Sequence, residues 1–348
     1  MTYRLLRTAT GNRCMVVVVV VASVLALLTA AAYRTGNYTA APVVAMDLAV
    51  ELLGRSLFGQ GLNETDAAKL YLDVGTDVCA SVVRVGRPGD GGYDVCVDHF
   101  PPRSRPGTAG VSGRDDRDNA DKRRCQVFSV GIGDDASFDN ELARLGCDVY
   151  SFDPTIGRKT GDTSGWLLDD RIHFYDLGLQ VKAGRRPCTG KVQCKSAETR
   201  TLASLMNLTG HAGTQLDILK VDIEGDEWPV LQDLVSRVDR DCPPFKVLLA
   251  ELHFARDLKL GKLLKEQCRA SQQCRTSRVD MQRAGVDVLR GLREVGFEPY
   301  SRRPNWRFAE LMEIGDLDVK AHSTIEMGWV HKPRRGADRA GGECAFGF

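Results

Sequence analysis

Gln126-Val-Phe-Ser-Val-Gly-Ile-Gly-Asp-Asp-Ala-Ser-Phe-Asp139, followed further on by Cys147-Asp-Val-Tyr-Ser-Phe-Asp-Pro154, reads as strand, glycine turn, helix, strand. Apolar and β-prone residues run to Val130. Gly131 and Gly133 then open backbone angles closed to other residues and let a ligand approach the main chain. Phe138, Leu142 and Leu145 recur at helical spacing, and Gly146 is placed to end that helix. Val149 to Phe152 make the second strand, closed by Asp153 about twenty residues after Gly133. That separation lets one carboxylate reach the ribose hydroxyls of a nucleoside whose other end lies over the glycine turn. A lone Gly-x-Gly would be an ordinary turn; the acid at this distance favours a nucleoside site.

Outward from this unit, the pattern of strand and helix repeats. Arg171 to Leu179 is expected as a third strand, Gly184 to Lys195 as a loop or hairpin, and Glu198 to Met206 as a helix. Leu216-Asp-Ile-Leu-Lys-Val-Asp222 is a strand, Glu224-Gly225 a tight turn, and Trp228 to Val235 a helix. Phe245 to Leu252 is an unbroken apolar strand, ended by Glu251, Leu252 and His253. A long helix from Val279 to Val295 stops at Gly296, and strands follow at Phe297–Arg302 and Ile325–His331. Unbroken apolar strands suit a parallel sheet covered on both faces, so 125–333 is expected to be a doubly wound, Rossmann-like α/β domain. In such sheets ligands bind at the carboxyl ends of the strands. Gly131, Gly133, Asp153, Asp222, Glu224, Glu251 and His253 all fall there, from separate parts of the chain.

The remaining chain speaks of compartment. Its 348 residues are 43% apolar with a net charge of +1, which suffices for a real core and predicts no bulk attraction to nucleic acid. Arg4, Arg7 and Arg13 lie in a tail, 1–14, expected in the cytosol. They precede an uncharged run, 15–33, of roughly 28 Å as a helix, close to a bilayer's hydrocarbon core. This predicts a single-pass anchor with the bulk of the chain in the lumen of the secretory pathway. A signal peptide cut near Ala30-Ala31-Ala32 would release it instead. Eleven cysteines, and glycosylation acceptors at Asn37, Asn63 and Asn207, agree with that compartment. Cys188/Cys194 and Cys268/Cys274 are spaced to close small loops, though sequence leaves the connectivity open. Residues 34–100 form a luminal extension, with helices expected over 43–58 and 66–72 and two short strands around the glycine-rich turn near Gly89. Residues 101–124, rich in Pro, Gly, Arg and Asp, are expected to be a disordered insertion, and 334–348 a C-terminal tail.

Val127-Phe-Ser-Val-Gly-Ile-Gly133, Val149-Tyr-Ser-Phe-Asp-Pro154 and Leu216-Asp-Ile-Leu-Lys-Val-Asp-Ile-Glu-Gly-Asp-Glu-Trp228 resemble the FkbM-related S-adenosylmethionine-dependent methyltransferases. With Gly89-Asp-Gly-Gly-Tyr-Asp-Val-Cys96, the likeness extends to the animal methyltransferase-like protein 24 group. The resemblance implies a seven-stranded sheet whose last strand is antiparallel. It also implies S-adenosylmethionine over Gly131 and Gly133, with Asp153 on the ribose. Ser129 stands where many members of the wider class carry an acid, so the methionine moiety would rely on the main chain there. Asp222 is then expected beside the transferring methyl, Glu224 shaping the turn, and His253 as the base, since an imidazole titrates near neutrality. Asp222, Glu224, Glu251 and His253 could instead hold a divalent cation, but no metal is assigned. Trp228 and Trp306 could stack on an acceptor, though core burial is the commoner use of tryptophan. The expected partner is a methyl acceptor of unidentified class, most simply a hydroxyl. Three other functions compete. Gly131-x-Gly133-x-x-Ala136 also fits a nicotinamide enzyme, and Asp316-Leu317-Asp318 fits a luminal glycosyltransferase. The third is a secreted binding protein that has lost catalysis on the same scaffold.

Overall fold

A computed structural model of the chain describes residues 74–75, 77–100, 124–157, 169–187, 196–253, 278–305, 311–314, 319–322 and 324–332. The apolar run at 15–33, the helices at 43–58 and 66–72, all but the last residue of 101–124, and the tail lie outside them. So do Trp306, the Asp316–Asp318 tripeptide and the cysteines at 188, 194, 268 and 274. No described helix is long and apolar enough to cross a membrane. Apart from 87–90, the described residues fall in one compact unit.

In chain order, β1 (Val82–Val85) and β2 (Tyr93–Cys96) pair as the expected hairpin. The opening motif becomes β3 (Gln126–Val130), α1 (Ser137–Arg144) and β4 (Asp148–Phe152). After β5 (Ile172–Tyr175), the short strands β6 (Gly178–Leu179), β7 (Gly184–Pro187) and β8 (Ser196–Arg200) make a side sheet. Then come α2 (Leu202–Leu208), β9 (Leu216–Val221), α3 (Glu227–Arg237), β10 (Phe245–His253) and α4 (Arg278–Glu294). The last elements are β11 (Phe297–Pro304), the hairpin β12 (Leu311–Ile314) and β13 (Val319–His322), and β14 (Thr324–His331).

Seven strands form the main sheet in the order β11-β14-β10-β9-β3-β4-β5. Strands β10, β9, β3, β4 and β5 pair in parallel, while β14 runs antiparallel to both β10 and β11. This is the mixed sheet expected from the resemblance. The chain lays down β3, β4 and β5 toward one edge, then returns to place β9 on the other side of β3. The strand order reverses between β3 and β9, and in such sheets a ligand crevice is expected over the carboxyl ends of the strands at this switch point.

Strand alternation divides the interior into two cores. Phe128, Leu219, Leu248 and Ala250 face one core with Trp228 and Leu231 of α3 and Leu289 of α4. Their neighbours Val127, Ile218, Val247 and Leu249 face the other, with Phe138 and Leu142 of α1. The β1–β2 hairpin, placed ahead of 125 in the sequence, joins this second core through Val85, Tyr93 and Val95. Two disulfides brace the same side: Cys79–Cys96 within the hairpin and Cys125–Cys147 between the approaches to β3 and β4. Cys242 is disulfide-bonded as well.

Two segments differ from expectation. The helix expected from Glu198 starts only at Leu202, because Thr201 accepts the Ser204 N–H at 3.2 Å and caps it. Ahead of that cap, Ala197 and Thr199 alternate inward, and Ser196–Arg200 pairs with β7 as a strand. The third strand is shorter than expected, and its last part, Gly178–Leu179, leaves the main sheet to join β8.

Candidate active site

Main-chain bonds stitch the three strand ends together at the glycine turn. Gly131 N–H donates to Phe152 O at 2.9 Å, and Asp222 N–H donates to Val130 O at 3.0 Å. Gly131 (φ 79°) packs so closely that a Cβ there would stand 1.6 Å from the Asp222 carbonyl oxygen. Gly133 (φ 62°) is its opposite: a Cβ on it would meet nothing within 4 Å. The turn is thus sealed against β9 on one side and open on the other.

Asp153 sits beneath that turn, 4% exposed. Its Oδ2 accepts the N–H groups of Ile132 at 3.0 Å and Gly133 at 2.9 Å. Its Oδ1 accepts the N–H and hydroxyl of Thr155, both at 2.7 Å. A carboxylate offers about four acceptor positions, so the protein's own donors fill this one. Ser129 is fully buried, and its hydroxyl donates to Asp139 Oδ2 at 3.2 Å. The Ser151 hydroxyl donates to the other Asp139 oxygen. The carboxylate absent from position 129 therefore stands beside it, on α1. Burial raises the Asp139 pKa, against the two serine hydrogen bonds and the charge of Lys220.

Lys220, 4% exposed, donates to the Gly131 carbonyl and lies 3.6 Å from Asp222 Oδ2. Its ammonium also sits 5.4 Å from the centroid of the Tyr93 ring. The Tyr93 hydroxyl donates to Asp222 Oδ2 at 3.1 Å, so the N-terminal hairpin reaches into the crevice. Burial, then the charge of Asp222, pushes the Tyr93 pKa well up and keeps it a donor.

Asp222, Glu251 and His253 converge, each presenting a donor atom within 4.8 Å of the others. Glu251, 6% exposed, accepts from Asn305 Nδ2 at 2.7 Å through Oε1. Burial and the neighbouring Asp222 raise its pKa well above the usual carboxylate range. His253 places Nδ1 2.9 Å from Glu227 Oε1, which also accepts the His253 main-chain N–H at 2.9 Å. Glu227 is fully buried, and its other oxygen accepts the Gly225 N–H at 2.8 Å. Burial alone would lower the His253 pKa. The hydrogen bond to Glu227 and the charges of Glu227, Glu251 and Asp222 outweigh it, raising the value to about 10. Glu224 adopts φ 57° at the rim, 84% exposed at its side chain, with Oε2 3.8 Å from His253 Nε2. Trp228 is buried, and its indole N–H donates to the His253 carbonyl at 2.8 Å, which anchors the strand end.

Sequence reasoning missed Tyr93, Asp139, Lys220, Glu227 and Asn305. Lys220 alone carried a local signal, a charge in the apolar strand Leu216–Val221.

An open α/β sheet with β14 reversed, and a glycine turn beside an acidic crevice, define a methyltransferase-type fold. A family model described as a methyltransferase domain matches residues 61–315, and the chain belongs to that family. It is 32% identical over 114 residues to "Probable methyltransferase-like protein 24" of Homo sapiens and equally to that of Rattus norvegicus. Each match covers 32% of this chain and 29% of the relative, so the likeness spans less than a third of those proteins. Among solved structures, it is similar to an S-adenosylmethionine-dependent methyltransferase from Agrobacterium tumefaciens. That likeness has 12% identity, 60% coverage of this chain and 57% of the other, and a TM-score of 0.29.

Proposed function

We propose that this chain is an S-adenosylmethionine-dependent methyltransferase of the secretory pathway, acting on a hydroxyl acceptor. The observation that carries it is the pairing of an open glycine turn at Gly133 with the polar crevice of Asp222, Glu251 and His253. The two share a wall, since Gly131 lies directly on the Asp222 carbonyl. The open space at Gly133, which any side chain would intrude on, fits a nucleoside cofactor lying along the main chain. Gly131 and Gly133 would hold it, and Asp153 fixes the shape of their turn. For Asp153 to bind a ribose as well, Thr155 would have to yield Oδ1. Ser129 supports the turn from below through Asp139.

When bound, the cofactor's sulfonium supplies an activated methyl, which leaves the protein to align the acceptor and receive its proton. Asp222 is held in one orientation by the Tyr93 hydroxyl and Lys220 and faces the crevice beside the turn. Glu227 fixes the His253 ring, directing Nε2 toward Glu251 and the rim residue Glu224. Nε2 is the atom placed to take the acceptor proton once the imidazole is neutral.

The secretory assignment draws support from the disulfides and from Asn207, an exposed glycosylation acceptor. A binding protein without catalysis is the second reading, favoured by the filled carboxylate of Asp153. Calorimetric titration of the full-length chain with S-adenosylmethionine, NAD and a nucleotide sugar tests the proposal. Binding of S-adenosylmethionine alone, with label transferred to a fraction of secretory extract, is expected. Binding of that cofactor without any transfer supports the second reading, and binding of NAD or the sugar nucleotide rejects both.

A further inference from the structure

We infer that Asp222, Glu251 and His253 form a site for one divalent cation, which deepens the methyltransferase reading and rests on it for its catalytic meaning. Three separate features point to an ion. The first is convergence: one atom from each side chain lies within 4.8 Å of the others. Small rotamer changes would close such a set around an ion at about 2.0–2.3 Å.

The second is a buried carboxylate oxygen held only by a long ion-pair contact. Glu251 is 6% exposed, and Asn305 occupies only Oε1. Oε2 lies 3.7 Å from His253 Nε2, beyond hydrogen-bond reach. Asp222 meets Tyr93 and Lys220 through Oδ2, and Oδ1 takes part in neither contact.

The third lies outside the trio. Glu227, fully buried, receives the His253 Nδ1–H at 2.9 Å and so leaves Nε2 as the ring atom facing the two carboxylates. A carboxylate behind a histidine is the usual support of a metal-binding imidazole, because it fixes both tautomer and ring orientation.

Two carboxylate oxygens and one imidazole nitrogen favour a borderline dication such as Mn²⁺ or Zn²⁺ over Mg²⁺, which prefers an oxygen shell. Three protein ligands leave further positions open. The crevice side of the ion is where an acceptor hydroxyl would bind. In the loaded site the ion would replace the proton on His253 Nε2, so the ring would act as a ligand and not as the base, and the ion's charge would let the hydroxyl proton pass to water. Glu224, at the rim, is placed to shift in as a fourth ligand.

The test uses the full-length chain, stripped with a chelator and titrated with MnCl₂ in the absence of any cofactor. Binding is read by calorimetry and by loss of the free Mn²⁺ electron paramagnetic resonance signal. One Mn²⁺ per chain is expected. Affinity should fall by about tenfold or more in Glu251→Gln and His253→Gln, and to a similar extent in Glu227→Gln. Thermal melts confirm that each variant is folded, and His253→Gln decides the matter should Glu251→Gln not fold. Absence of stoichiometric binding at millimolar Mn²⁺, or binding that both substitutions leave unchanged, overturns the site. Because no cofactor is present, such a failure leaves the methyltransferase reading to its own titration.

Discussion

The Nδ1 atom of His253 lies 2.9 Å from Oε1 of Glu227, a carboxylate with no exposed surface. That bond is the leading reason the imidazole overcomes its burial and holds a proton up to about pH 10. Chelator-treated protein labelled at its histidines should show one imidazole titrating near pH 10 by nuclear magnetic resonance. Glu227→Gln should move that titration toward neutrality. The stability consequence has a definite sign. A folded pKa raised from 6.5 stabilises the fold fully below pH 6.5, and that contribution is lost as pH climbs to about 10. Unfolding free energy should therefore fall over that window more steeply in the wild type than in Glu227→Gln. Equal slopes would remove Glu227 as the cause.

Asp153 is at once a candidate cofactor residue and a structural clamp. Its carboxylate satisfies the buried N–H groups of Ile132 and Gly133 and both donors of Thr155. Leaving a buried donor without a partner costs about 1–3 kcal/mol. Asp153→Ala should thus melt several degrees lower with no cofactor present, and Asp153→Asn, which keeps one acceptor oxygen, should fall between. A variant that loses cofactor affinity while melting like the wild type would show that Asp153 serves the ligand alone.

The two turn glycines should fail differently. A Cβ at Gly131 would collide with the Asp222 main chain, which cannot move without opening β9, so Gly131→Ala should not fold. At Gly133 the side chain has room, and φ 62° costs a non-glycine residue about 1–2 kcal/mol. Gly133→Ala should fold, by circular dichroism, yet lose S-adenosylmethionine binding, by calorimetry. Retained binding in Gly133→Ala would place the cofactor elsewhere.

The sheet was legible because its strands are buried on both faces and read as unbroken apolar runs, as in Phe245–His253. The glycine turn and the residues at the strand ends were legible for a related reason. Each closes a strand, and the fold brings strand ends together. What sequence could not show is which groups those residues spend themselves on. Tyr93 reaches Asp222 across 129 residues, and Asn305 reaches Glu251 across 54. No local pattern encodes contacts of that range. Asp153 shows the same limit from the other side. Its position was readable, but its oxygens are filled by Ile132 and Gly133 of the turn and by Thr155 beside it. Glu198–Arg200 was misjudged because Leu202 and Leu205 just beyond it recur at helical spacing, while the alternation of Ala197 and Thr199 is too short to mark a strand without its pairing to β7.

Arg84 and Glu326 tie the N-terminal hairpin to the central antiparallel strand, with Nη1 2.8 Å from Oε2. Glu326 is 5% exposed and lies opposite Glu251 in the β10–β14 pair. Burial raises its pKa from 4.5 to about 7, and the charge and hydrogen bond of Arg84 only partly oppose the rise. Below pH 4.5 the carboxyl is neutral in both folded and unfolded chains. Its stabilising effect is complete there and is lost as pH rises through about 7. Arg84→Met removes the counter-charge, so the ionised form becomes costlier still. A folded carboxyl that titrates at about 7 can take up a proton instead, and Arg303 still faces it, so the substitution should cost at most about 1.4 kcal/mol more at pH 8 than at pH 5. Urea denaturation of the two proteins at both pH values measures the difference. A loss of the same size at pH 5 and pH 8 would show that Arg84 acts through packing of its alkyl stem and not by its charge on Glu326.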